Sequence, residues 1–262
     1  VRVPILNTTP PSYDIFHLLD RMKKDGCRYV VMEVSSQGLM MDRVEGLVFD
    51  YGIFTNISPD HIGAGEHRNF EEYLYWKSML FQQSRMGIVN GDDLRAGDIM
   101  KGSTCPFLLF GTNPLDERIR YAAGDISLVK TPDCLGSRFT IRDRESGRTD
   151  LCELSIAGRF NISNALAAYT TACALGCRRE CILTALKKVS VRGRAEMIYS
   201  NDRYHLMIDY AHNAVSLESL LKTLREYNPG RIVCIFGCGG NRSRYRRFSM
   251  GEISGNLADL TI

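Results

Sequence analysis

Three side chains in the first third of the chain have the types and the placing to hold a divalent cation: Glu33, His61 and Lys77. Glu33 closes the apolar run "YVVMEV", which reads as a buried strand. His61 follows a second strand-like run, "YGIFTNI", in the loop "NISPDHIG". Open α/β sheets bind ligands beyond the C-terminal ends of their strands. A carboxylate and an imidazole at two neighbouring strand ends therefore point to one shared ion, the carboxylate supplying a hard oxygen. A loop histidine alone is more often structural than a ligand, so the pairing of the two strand ends carries this reading. Lys77 falls within the helical arc of Phe70, Tyr73, Leu74 and Phe81. Burial there disfavours the ammonium form, and a neutral amine adds CO2 to become a carbamate, itself an oxygen ligand. The bland alternative is a lysine that lays its stem along the apolar face and keeps its head in water.

A second set of residues suits a nucleotide or another anion. "GRFNISNALAA" puts Asn161 and Asn164 one helical turn apart, and paired amides can read the edge of an adenine, although asparagine is also common at helix caps. Arg194, in "VRGRAE", stands where one patterned region gives way to the next, a place for a guanidinium to meet a phosphate. "GCGGNRSRYRR" sets Arg242, Arg244, Arg246 and Arg247 behind a glycine-rich turn, a combination that binds carboxylates or phosphates. Cys173, Cys177 and Cys181 recur at four-residue spacing; packing of small side chains is the favoured reading over metal ligation, because Gly176 interrupts the run. These residues contain no "GxxxxGK[ST]" phosphate loop and no serine nucleophile elbow.

The elements that must position these groups alternate between strand and helix patterns, which predicts an α/β fold with a mostly parallel sheet. Helices are expected over "SYDIFHLLDRMKKDG", with Gly26 as its stop, over "NFEEYLYWKSMLFQQ", with Asn69 and Glu72 spaced as a capping pair, over "NISNALAAYTTACALG" and over "SLESLLKTLREY". "MGIVNGDD" reads as a strand followed by an Asx-rich turn. Residues 101–155 mix short β-like segments and carry little functional signal. The strands "HLMIDYA", "RIVCIFG" and "ADLTI" read as a second, three-stranded parallel sheet, which places a domain boundary near residue 198. A chain of 262 residues with 44% hydrophobic and 24% charged content is ordinary for a globular protein of one large or two modest domains. Its net charge of +3 is too small to make nucleic acid the main partner. No apolar run reaches the length of a membrane span, and nine scattered cysteines fit a reducing cytoplasm.

Taken in order, "NTTPPSYDIFHLLDRM", "MEVSSQGL", "FTNISPDH", "YWKSMLF", "NGDD", "GRFNISNALAA", "VRGRAE", "DYAHN" and "FGCGGNRSRYRR" resemble the Mur ligase family, ATP-dependent amide-forming enzymes of peptidoglycan synthesis. "NTTP", "DYAH" and "GCGG" are most similar to the branch that adds the third amino acid to UDP-N-acetylmuramoyl-dipeptide. The resemblance implies a central ATPase domain over residues 1–198 and part of a Rossmann-like C-terminal domain over 199–262. It implies Mg²⁺ held by Glu33 and His61 with carbamylated Lys77. Thr8, Thr9, Ser35 and Arg43 would hold the nucleotide-sugar dipeptide, Asn161 and Asn164 the adenine, and Arg194 a phosphate. Asp209 and His212 would lie on the ribose side, and Arg242 would meet the incoming amino acid. Lys77 and Arg194 take the catalytic roles.

The implied chemistry starts with the dipeptide carboxylate attacking the γ-phosphate of ATP to give an acyl phosphate. The amine of a free amino acid then displaces phosphate. A monomer without nucleic-acid or membrane partners is expected. Gln37, Met41, Gly63, Asn241, Ser243 and Phe248 depart from residues common in the family, which touches fine substrate contacts. The family's phosphate loop is expected before Val1 and its amino-acid-reading motif after Ile262, so this stretch is expected to be an internal piece that does not turn over ATP alone. The alternatives are another amide ligase of the same superfamily and a non-catalytic nucleotide- or muropeptide-binding remnant.

Overall fold

The computed structural model describes residues 7–59, 62–63, 66–238 and 244–262. The chain divides into two compact units, Val1–Phe110 and Gly111–Ile262.

In the first unit, helix α1 (Ser12–Lys24) ends where expected, with Gly26 at a left-handed φ of 80°. Its Ile15 packs with Leu39 and Val44 into a small core, joined by Leu19, Met32, Val34 and Trp76. The run "YVVMEV" does not form the predicted strand; residues 27–35 join no β-ladder among the described residues. A strand is stabilised by a ladder, and among the described residues no partner lies beside this one. The period of two survives all the same: Met32 and Val34 turn onto the core, while Val31 stays 93% exposed and Glu33 faces outward.

A short helix α2 (Ser36–Met40) follows, its N-terminus capped by the Ser35 hydroxyl, which accepts from Gly38 N at 3.0 Å. Strands β1 (Phe49–Phe54), β2 (Ser84–Asn90) and β3 (Phe107–Gly111) then run parallel in that order, with Ile53 opposite Ile88 and Ile88 opposite Leu108. Gly87 allows this close packing, because a Cβ there would stand 2.3 Å from the Phe107 ring. Between β1 and β2 the predicted single helix is split into α3 (Phe70–Ser78) and a 3₁₀ turn, Met79–Gln83. The Ser78 hydroxyl donates to the Tyr75 carbonyl at 2.7 Å, competing with the regular ladder where the helix tightens. Asn69 caps α3 as expected by accepting from Glu72 N at 2.9 Å, but the Glu72 carboxylate reaches back to Arg68 N rather than to Asn69. Helix α4 (Ala96–Met100) links β2 to β3.

The second unit opens with an antiparallel meander of β4 (Ile119–Thr131), β5 (Cys134–Asp143) and β6 (Thr149–Leu154). Helices α5 (Phe160–Ala174) and α6 (Arg179–Lys188) follow. An ionic cluster is buried here. Asp143 accepts from Arg120 Nε at 2.6 Å, from the Ser146 hydroxyl at 2.7 Å and from Arg179. Asp150 accepts from the Tyr169 hydroxyl at 2.6 Å and from Arg179 Nη1 at 3.2 Å. Arg179 thereby bridges two carboxylates from neighbouring strands. Burial acts to raise the pKa of Asp143, but its hydrogen bonds from Arg120, Ser146 and Arg179 outweigh it and hold the carboxyl down at about 2. The three cysteines of "CALGCRREC" do not pack together: Gly176, with φ at 76°, ends α5, so Cys173 is half-buried while Cys177 and Cys181 are exposed.

Beyond residue 195 the expected three-stranded parallel sheet is replaced by two small sheets. β7 (Glu196–Ser200) and β8 (His205–Ile208) form an antiparallel hairpin. After helix α7 (Ala214–Arg225), β9 (Val233–Cys234), helix α8 (Arg244–Leu257) and β10 (Leu260–Thr261) complete the chain, with β9 and β10 parallel. The sequence "HLMIDYA" follows β7 across a turn of four residues, and a hairpin pairs such close neighbours at once. Leu217 and Leu221 of α7 and Met250 of α8 share a core with Ile232, which precedes β9.

Candidate active site

In the first unit the structure brings four of the predicted residues together. The buried Thr9 hydroxyl donates to the Glu33 carbonyl at 3.0 Å and accepts from Ser35 N at 2.9 Å. Arg43 Nη1 donates to the Thr9 carbonyl at 2.8 Å. "NTTP" and "MEVSS" are thus tied by one hydroxyl, which supplies the order that a strand ladder does not. Thr8, next to it, is exposed.

Lys77 lies on α3 beside buried Tyr73 and Leu74, its ammonium 5.7 Å from the Tyr73 ring centre. Burial lowers its pKa, and the attraction of the Glu33 carboxylate only partly restores it. Burial thus disfavours the ammonium form, with Glu33 close enough to be felt. His61 lies outside the described residues. The loop that leads to it is anchored from β2: Asn90 Nδ2 donates to the Thr55 carbonyl at 2.8 Å, and the Asp93 carboxylate accepts from Ile57 N at 2.9 Å. These two acts of positioning belong to "NGDD", where only an Asx-rich turn was legible. A second residue not anticipated is His67, fully buried, with Nε2 2.8 Å from the Ser36 hydroxyl and its ring against Tyr73. Among the described residues no three His, Cys, Asp or Glu side chains gather closely enough to form a metal cluster.

In the second unit a cavity of about 670 Å³ is lined by Asn161, Asn164, Arg194 and Asp209, which come from three separate motifs. That volume suits a small organic ligand. Its apolar walls include Ile156, Phe160, Val191 and Val215. Asn161 and Asn164 share one face of α5 as predicted, and are joined: Asn164 Nδ2 donates to Asn161 Oδ1 at 3.0 Å, while Asn161 Nδ2 donates to the Ala157 carbonyl at 2.7 Å. Asn161 is thus held by the chain, leaving the exposed Asn164 to offer donor and acceptor capacity to the cavity. The Arg194 guanidinium lies 4.8 Å from the centre of the Tyr210 ring, a cation–π contact. His212 is exposed, its ring tilted against the Tyr210 ring at 5.0 Å between centres, outside the cavity lining. Arg242 lies outside the described residues.

The family profile of the Mur ligase middle domain matches residues 3–172, and that of the Mur ligase glutamate ligase domain matches residues 193–262. The chain belongs to the Mur ligase family. Among curated Mur ligases it is 34% identical, over 99% of its length and 52% of the relative, to the UDP-N-acetylmuramoyl-L-alanyl-D-glutamate–2,6-diaminopimelate ligase of Caldanaerobacter subterraneus subsp. tengcongensis. It is 33% identical, over 97% of its length and 50% of the relative, to the corresponding L-lysine ligase of Streptococcus pyogenes. A solved UDP-N-acetylmuramoyl-L-alanyl-D-glutamate–2,6-diaminopimelate ligase superposes with a TM-score of 0.74 at 25% identity, covering 96% of this chain and 51% of that one. The chain spans about half the length of the curated Mur ligases it matches. No helix among the described residues is long and apolar enough to cross a membrane.

Proposed function

We propose that this chain is the nucleotide-handling part of an ATP-dependent ligase that adds the third amino acid to UDP-N-acetylmuramoyl-dipeptide in peptidoglycan synthesis. The observation that carries the reading is the cavity in the second unit, where an amide pair, an arginine and an aspartate from distant motifs converge on one space large enough for a nucleoside. The relatives' names supply the reaction and substrates. Asn161 and Asn164 read the adenine, Arg194 meets a phosphate, and Asp209 and His212 stand on the ribose side, Asp209 through the backbone that its carboxylate holds. Thr8, Thr9, Ser35 and Arg43 serve the nucleotide-sugar dipeptide, Thr9 by ordering the loop that carries Glu33 and Ser35. Arg242 meets the incoming amino acid. Residues 1–198 form the central domain and 199–262 part of the C-terminal one, in a cytoplasmic monomer.

The donor set fits a hard divalent cation: an outward-facing carboxylate, Glu33, lies near a lysine whose ammonium form is disfavoured by burial. Glu33, His61 and Lys77 as its carbamate would hold Mg²⁺, which when bound supplies positive charge against the phosphate oxygens. The carboxylate of the dipeptide takes the γ-phosphoryl group, and the amine of the amino acid then expels phosphate from the acyl phosphate. The ligase that carries this chain should release ADP over many turnovers only when ATP, UDP-N-acetylmuramoyl-L-alanyl-D-glutamate and an amino acid are all present, with diaminopimelate and L-lysine assayed in parallel. ADP release indifferent to the dipeptide would overturn the reading.

A further inference from the structure

We infer that Asp209 is a positioning residue that sets Arg194 in the cavity by holding the turn on which that arginine rides. The inference rests on the nucleotide reading of the cavity. Both oxygens of Asp209 are engaged by the backbone: Oδ2 accepts from Ala195 N at 2.7 Å and Oδ1 from Ala211 N at 2.8 Å. The turn before it is closed from within. Arg194 N donates to the Val191 carbonyl at 3.1 Å, and Gly193 N donates to Glu196 Oε2 at 2.7 Å.

Ala195 is buried and sits at φ 45°, a left-handed conformation that costs an alanine energy and persists only when its surroundings enforce it. The Asp209 carboxylate is the group that meets the amide of this residue. The same carboxylate holds Ala211, so it brackets Tyr210, whose ring carries the Arg194 guanidinium. One side chain therefore fixes both members of the cation–π pair, the arginine through the turn and the ring through its flanking backbone. The β7–β8 hairpin pairs Glu196 with Ile208, so the clamp lies one step beyond its last rung and extends the ladder through a side chain.

An asparagine at this position keeps one acceptor and turns an NH₂ against the second N–H, which breaks half of the clamp while preserving shape. The test is a double-mutant cycle on the affinity for ATP with Mg²⁺, read by calorimetry on the ligase that carries this chain, unmodified and as Asp209→Asn, Arg194→Ala and the double variant. Hydrogen exchange at the Ala195 and Ala211 amides is followed alongside, without nucleotide. Asp209→Asn is expected to weaken ATP by about tenfold, the loss of one charge-assisted hydrogen bond. The double variant is expected to bind within about twofold of Arg194→Ala, because the aspartate acts through the arginine. Ala195 exchange should accelerate in Asp209→Asn. If that variant does not fold, Asp209→Ser, with one short acceptor, enters the same cycle. Losses that multiply, or an Ala195 amide already unprotected in the unmodified chain, overturn the positioning role alone. Failure of the unmodified ligase to bind ATP overturns the nucleotide reading and this assignment with it.

Discussion

Lys77 shows how far one residue can be read from sequence and where the reading stops. Its place in the apolar arc of α3 was legible from spacing, and the structure puts it against Tyr73 with its charge disfavoured. The sign of the effect follows from linkage. A lysine whose folded pKa is depressed binds fewer protons when folded than when unfolded, between that depressed value and the ordinary lysine range. Stability therefore rises with pH across that window and levels off above it. Lys77→Met should remove this rise and leave stability at neutral pH equal or higher, as urea unfolding at a series of pH values would record. A rise of the same size in both proteins would show that the ammonium is already solvated. In ¹³C-bicarbonate the unmodified protein should also give a carbamate carbon resonance that Lys77→Met lacks. Asp209 and Asn90, by contrast, act by accepting from or donating to backbone many positions away, and no local pattern announces such a bond.

At the scale of elements, patterns of period 3.6 were the more legible, because a helix satisfies its own backbone. α1, α5 and α7 lie where their apolar spacing places them, to within a few residues. Strands depend on partners that sequence does not name. "YVVMEV" keeps its alternation yet joins no strand among the described residues, and "HLMIDYA" joins a hairpin instead of a parallel sheet. The link between α7 and the meander was equally hidden. The buried Tyr227 hydroxyl donates to the Gly136 carbonyl at 2.9 Å and accepts from Gly158 N at 3.1 Å, with Arg159 pairing to Glu226 at 2.8 Å nearby. Gly158 sits at φ 105°, and a Cβ there would lie 3.0 Å from Thr223 Cγ2, so the approach of α7 needs that glycine. Tyr227→Phe strips both bonds while keeping the ring. It leaves a buried carbonyl and a buried N–H without this partner, at a cost of about 2 kcal/mol in denaturant unfolding. A change below about 0.5 kcal/mol, within the range of an ordinary surface substitution, would mean that water replaces the hydroxyl.

At the scale of the whole molecule, resistance to acid depends on a region that held little functional signal in the sequence. The cluster around Asp143 draws on β4, β5, β6, α5 and α6, and its members are up to 59 positions apart, as for Arg120 and Arg179. Asp143 is 1% exposed, and its pKa falls from the ordinary 3.8 to about 2 because its arginine and serine bonds exceed the cost of burial. The folded state therefore binds fewer protons than the unfolded one between these two values. Its contribution is fully present above pH 3.8 and is lost as pH falls toward 2. A difference of that size corresponds to about 2 kcal/mol. Asp143→Asn should lose this acid-dependent part, so that its unfolding free energy declines less steeply between pH 4 and pH 2 than that of the unmodified protein. At pH 7 the same substitution leaves Arg120 and Arg179 with an incomplete partner, and a loss of about 3–5 kcal/mol is expected. The two effects separate by comparing variants across pH: a charge cluster gives a large deficit at neutral pH that narrows in acid. A deficit constant from pH 7 to pH 2 would instead assign the loss to packing and leave the acid sensitivity to other carboxylates.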